Sequence, residues 1–130
     1  MNVFDRLATW APQMLGALRI MTGLLFLEHG TAKLLKFPHD PMFDGVQLKS
    51  LMGLAGVLEI VGGLLIVIGL CTRPVAFVLA GMMAVAYFMA HAPQSFFPAL
   101  NQGDAAILFC FIFLYLVCAG PGAWSVDKKA

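Results

Sequence analysis

"LMGLAGVLEIVGGLLIVIGL", Leu51 to Leu70, decides the fold. It carries a single ionisable residue, Glu59, near its middle. An α-helix rises ~1.5 Å per residue, so a run of this length crosses the ~30 Å hydrocarbon core of a bilayer. A carboxylate at that depth is costly alone and needs a partner or a proton. The stretch therefore predicts a spanning helix over about residues 50–70 with one polar contact built into it.

Working outward, three further segments read the same way: about 12–35, 74–91 and 102–120. The expected fold class is all-α, an integral membrane four-helix bundle with four transmembrane helices, forming a single domain over residues 1–130. The punctuation between segments supports this division. "CTRP", Cys71 to Pro74, is a tight turn, and Pro74 opens a helix where its missing N–H would be unpaired anyway. "FPHDPMFDG", from Phe37, and "APQSFFPALNQG", from Ala92, are proline-bearing loops, and "GPG" at Gly120 stops the last segment. Two long loops at one end and one tight turn at the other predict two helical hairpins. The first run is expected to be a retained helix rather than a cleaved signal, because Arg19 interrupts it and no small-residue cleavage site follows. Both termini then share one membrane face, where Trp10 and Trp124 serve as aromatic anchors. Arg6, Arg73, Lys128 and Lys129 on that side, against Lys36 and Lys49 on the other, predict cytoplasmic termini in the plasma membrane.

The composition agrees. Hydrophobic residues make up 61% of the 130-residue chain and charged residues 12%, whereas soluble domains carry about 25% charged residues. The mean hydropathy is +0.88. A formal net charge of +1 without a basic run gives no case for nucleic acid, so the expected partner is the lipid bilayer. Cys71, Cys110 and Cys118 form no CxxC, so they are expected to be packing residues. No metal-ligand spacing occurs, and no metal site is expected.

At about 100° per residue, Arg19, Thr22, Phe26, His29 and Lys33 share one face of the first segment. Gly16, Gly23 and Gly30 lie beside it and mark a close helix contact, which turns the stripe inward. Glu28 falls on the opposite side, toward lipid, a neighbouring protomer or a water-accessible crevice. The expected partner of Glu59 is Arg19, whose guanidinium suits a bidentate carboxylate pair. The third segment aligns Ala76, Ala80, Ala84, Tyr87 and His91, and the fourth aligns Asp104, Leu108, Phe111 and Tyr115. These positions predict a polar, ligand-binding pocket at the end away from the termini, formed by His29, Lys33, Tyr87, His91, Asn101 and Asp104, with the Arg19–Glu59 ion pair deeper. The plainer reading is that the ion pair fixes helix register and that Asp104 caps a helix.

Four stretches, "LRIMTGLLFLEHGTAKL", "GLAGVLEIVGGLLIVIGLCTRPVA", "NQGDAAILF" and "GPGAWSVD", resemble the DoxX family of small four-helix membrane proteins. The family pattern falls on Arg19, His29, Gly30, Lys33, Glu59, Thr72, Arg73, Asn101, Gly120, Gly122, Ser125 and Asp127. Asp104 stands where the family more often shows Glu, and Val126 replaces the usual Leu. The resemblance implies a membrane location and, for some relatives, respiratory redox chemistry. Two functions are therefore expected in competition. One is a quinone-associated oxidoreductase subunit, with no covalent cofactor, acting with a soluble redox enzyme or another respiratory subunit. In it His29 and Tyr87 bond the ring oxygens and Lys33 steadies a reduced anionic ring. The other is a non-catalytic scaffold or small-molecule binder or carrier, working as a homo-oligomer.

Overall fold

The structure is a computed structural model that describes residues 1–127. The described residues form six α-helices and no strand: α1 (Val3–Ala8), α2 (Ala11–Leu34), α3 (Leu51–Ile68), α4 (Thr72–Ala86), α5 (Pro98–Asn101) and α6 (Asp104–Ala119). A π-helical turn, Tyr87–His91, and a 3₁₀ turn, Ala92–Gln94, continue α4. Two helical stretches are long and apolar enough to cross a membrane, Leu51–Ile68 and Thr72–Gln94. The long α2 carries Arg19, Glu28, His29 and Lys33, and α6 is apolar but shorter. Lys128 and Lys129, which entered the expected orientation, lie outside the described residues.

Each helix end has a chemical cause. Ser50 caps α3, its Oγ accepting from the Gly53 N–H at 3.0 Å. Gly69, in the left-handed region at φ +71, closes α3 by donating to the Leu65 carbonyl at 2.9 Å. Cys71, also left-handed at φ 53, is the residue before α4 and offers no side-chain cap. Asp127 does so from a distance: its two carboxylate oxygens accept from the Cys71 and Thr72 N–H groups, both at 2.8 Å.

The packing forms two hairpin layers. The α2 helix lies along α3, and α4 lies along α6; α3 and α4 meet less extensively, and α2 meets α6 through aromatic side chains rather than by close backbone approach. Glycine makes the first layer close. A Cβ at Gly30 would stand 2.8 Å from the Gly56 carbonyl oxygen and 2.9 Å from the Glu59 Cβ. The buried core is Phe26 of α2, Ile66 of α3, Ala76, Leu79, Ala80 and Met83 of α4, and Phe113 and Leu116 of α6. Phe26 meets Phe113 edge to face at 5.1 Å between centroids. Outside this core, large apolar side chains such as Leu24, Val61, Phe77, Val85 and Phe111 are exposed on every long helix. Helices that are apolar all round are those of a membrane protein or a large interior.

One expected stripe faces the other way. Asp104, Leu108, Phe111 and Tyr115 are all exposed, and α6 packs instead through Ala106, Phe113 and Leu116. Because α6 is apolar on every side, periodicity alone does not say which stripe is inner. Two cysteines also depart from the packing role: Cys71 and Cys118 are exposed, and all three thiols are free.

Candidate functional site

The polar groups separate into three sets. Arg19 heads the first and is wholly buried (0% exposed). Its Nε donates to the Ile66 carbonyl at 2.9 Å. Its Nη1 donates to the Pro121 carbonyl and, at 3.1 Å, to that of Ala123. Its Nη2 donates to the Trp124 carbonyl at 2.6 Å. The guanidinium thus ties the end of α3 to the segment after α6. Pairing with Glu59 is corrected by this arrangement. Main-chain carbonyls at the turn end of α3 take up the donors of Arg19, so no donor reaches toward mid-helix.

Lys33 and Glu59 form the second set. Lys33 Nζ lies 2.5 Å from Glu59 Oε1, with the two side chains 13% and 3% exposed. The α2–α3 contact at Gly30 brings the two chains close enough for the pair. The Phe43 ring covers Lys33, its centroid 5.7 Å from Nζ, within cation–π range. Lys36 then pins the loop by donating to the carbonyls of Lys33, at 3.0 Å, and of Phe43. Lys33 is committed to Glu59, which removes it from the role of steadying a ligand anion.

The third set belongs to the α4–α6 connection. Asn101 is also wholly buried (0% exposed). Its Nδ2 donates to the Tyr87 hydroxyl at 3.1 Å and the Ser95 carbonyl at 2.9 Å, and its Oδ1 accepts from the Gly103 N–H at 2.8 Å. His91 Nδ1 donates to the Asn101 carbonyl at 2.9 Å, and its ring stacks on Tyr87. Tyr87 and His91 bound the π turn, whose i→i+5 bonding adds a residue to the turn and recurs at functional sites in helices. Asp104, at the start of α6, is exposed and makes no side-chain cap.

His29, expected on the inward-facing stripe, is instead exposed, because α2 packs on α3 through Gly23 and Gly30, and it stands apart from these sets. Its Nδ1 lies 2.8 Å from the Leu25 carbonyl, and its ring meets Phe109 of α6 edge to face at 5.9 Å. It borders an open cleft of about 360 Å³, walled on one side by the loop after α2 and lined by Glu28, His29, Ala32, Pro38, His39, Asp40, Pro41 and Phe43. The six residues expected to share one pocket therefore divide: His29 lines this cleft, and Lys33, Tyr87, His91, Asn101 and Asp104 do not. Glu28 is exposed, as its helix angle predicts, but it joins His29 at the cleft. The loop folds back over that side of α2, tied there by Lys36 and shaped within by Asp40 Oδ1 accepting from the Met42 N–H at 3.0 Å. His39, Asp40 and Phe43 entered no earlier expectation. The signal for them was present in "FPHDPMFDG", where an Asx-type cap and two prolines make a turn that returns rather than extends.

A second groove, of about 710 Å³, opens at the terminal end beside Pro12, Thr72, Arg73, Tyr115 and Asp127. Its charged groups are already engaged. Arg73 donates to the Val117 and Cys118 carbonyls at 3.2 and 3.1 Å, and Asp127 holds the start of α4. Burial works against the Asp127 carboxylate, but the N–H donors of Thr72 and Cys71 and the nearby Arg19 charge outweigh it and hold the group below the usual aspartate range. Among the described residues no cluster of histidine, cysteine or carboxylate side chains has metal-binding geometry.

An all-helical bundle, apolar inside and out, with charges buried only where they are bonded, defines a helical protein of the membrane class. The DoxX family model matches residues 14–92, more than half of the chain. The chain belongs to the DoxX family and is a DoxX-family membrane protein. It is 41% identical over 129 residues to an uncharacterized protein of Haemophilus influenzae, covering 96% of each chain. It is 28% identical over 136 residues to an uncharacterized membrane protein of Mycobacterium tuberculosis, covering 91% of this chain and 82% of that one. No solved structure matches it.

Proposed function

We propose that this protein is a quinone-associated subunit of a membrane redox system, and that the cleft at His29 receives the quinone ring. One observation carries the reading. An imidazole held by its own helix borders a cleft walled by Ala32, Pro38, Pro41 and Phe43, at the loop end of an apolar bundle. A quinone needs a flat apolar slot for its ring, polar groups at the ring oxygens and lipid access for its tail. In this reading α2, α3, α4 and α6 each cross the plasma membrane, and residues 1–130 act as one domain with cytoplasmic termini. A soluble redox enzyme or another respiratory subunit supplies the second substrate.

The test is saturable binding of decylubiquinone, offered in each redox state to protein in nanodiscs. Binding in at least one state, weakened at least tenfold by His29→Ala, is the expected result. Binding in neither state, or undiminished binding after His29→Ala, overturns the proposal.

A scaffold or small-molecule binder is the second reading. It is favoured by the internal bonding of Arg19, Lys33, Glu59 and Asn101, which leaves those four residues as architecture. Co-purification of a partner whose quinone-dependent activity vanishes without this protein separates the two.

A further inference from the structure

The side chains around the cleft are unbalanced in hydrogen-bonding sense. His29 Nδ1 faces the Leu25 carbonyl, which can only accept, so Nδ1 carries the proton. In the neutral ring, Nε2 is then left as a bare acceptor. His39 repeats the logic in mirror image. Its Nε2 lies 2.8 Å from Asp44 Oδ1, so Nε2 donates and Nδ1 is the acceptor of the neutral ring. Asp40 spends Oδ1 on the Met42 N–H, and its second oxygen accepts. Glu28 is an exposed carboxylate beside them. The neighbouring lysines, the natural donors, are spent on Glu59 and on loop carbonyls, and among the described residues no lysine or arginine lines the cleft.

A quinone presents two carbonyl oxygens, which only accept. A quinol presents two hydroxyls, which donate. We infer that the cleft binds the reduced, dihydroxy form of the ring in preference to the quinone, with one hydroxyl donating to His29 Nε2 and the other to a carboxylate of the same lining, Glu28 or Asp40. The inference rests on the quinone reading above and specifies its redox form. A site whose polar groups match a hydroxyl discriminates strongly against the analogue that lacks it, because those groups are otherwise left unpaired. Here the cleft is open to solvent, so the expected preference is about tenfold rather than the several orders of magnitude found in closed sites.

The experiment measures decylubiquinol and decylubiquinone binding separately, without oxygen, at pH 8, to the full chain in nanodiscs. At least tenfold tighter binding of the quinol is expected. The midpoint potential of the bound couple then rises by about 30 mV, the equivalent of tenfold for two electrons. His29→Phe keeps a flat ring but removes the acceptor, and should bring the two affinities within about threefold of each other. Equal binding of the two forms, or tighter binding of the quinone, overturns the inference and leaves the quinone site standing. Binding of neither form removes both. A preference that survives His29→Phe overturns the assignment to His29.

Discussion

Lys33 and Glu59 are close to dry, and among the described residues each is the other's only counter-charge within ion-pair distance. Removing one partner strands a buried charge, which typically costs about 3–5 kcal/mol, whereas replacing both with apolar residues is often neutral or stabilising. Glu59→Gln is therefore expected to lower unfolding stability in detergent by that order. The Lys33→Met/Glu59→Met double variant should return to within about 1 kcal/mol of the parent or exceed it. Equal loss in the single and the double variant would show that the pair is not what couples them. The need for a partner was legible from Glu59 alone, because a mid-helix carboxylate in an apolar run cannot stand unpaired. The partner's identity was not. Arg19 and Lys33 lie on the same helical face, and the choice between them depends on where each donor set meets main-chain carbonyls. Arg19 meets four within 3.1 Å at the turn end, a count no spacing rule supplies.

At the scale of the element, helix ends decide more than helix interiors. Residue 71 offers α4 no cap of its own, and Asp127 reaches across 55 residues to cap it. Its folded-state carboxyl is held below the ordinary value of 3.8 by the Thr72 and Cys71 N–H donors and by Arg19, against the opposing effect of burial. The sign follows. A depressed carboxyl stabilises the fold above its unfolded value, and that contribution is lost as pH falls through the lower folded value. Acid should thus loosen the segment after Gly120 at pH values below 3.8, read as faster amide exchange at Cys71 and Thr72. Asp127→Asn should exchange faster already at neutral pH, with little further change on acidification. An unaltered acid response in that variant would assign the effect elsewhere. The turn before α4 was readable from "CTRP", but α4 begins at Thr72, two residues ahead of the expected Pro74, because Asp127 caps it from far along the chain. The inner face of α6 was not readable, because an all-apolar helix has no polar side to define the other.

The whole molecule has two unlike ends. At the terminal end, Arg19 and Asp127 bind the last segment across the helices, and Arg19, Arg73 and Asp127 are spent on main-chain partners. At the loop end, His29, Glu28 and Asp40 keep free acceptors beside an open cleft. The all-helical fold and the weight of polar residues at the loop end were visible in hydropathy and helix angles. The split of those residues into a cleft, a buried pair and a loop-bracing network was not, because it depends on how the segment from Phe37 to Gly45 doubles back.

The most direct test uses a photoreactive azido-quinone, activated on the protein in nanodiscs and mapped by peptide mass spectrometry. The account predicts adducts between Glu28 and Phe43, suppressed by excess decylubiquinol. Adducts confined to the terminal-end groove around Pro12 and Tyr115, or adducts that the quinol does not suppress, would contradict it.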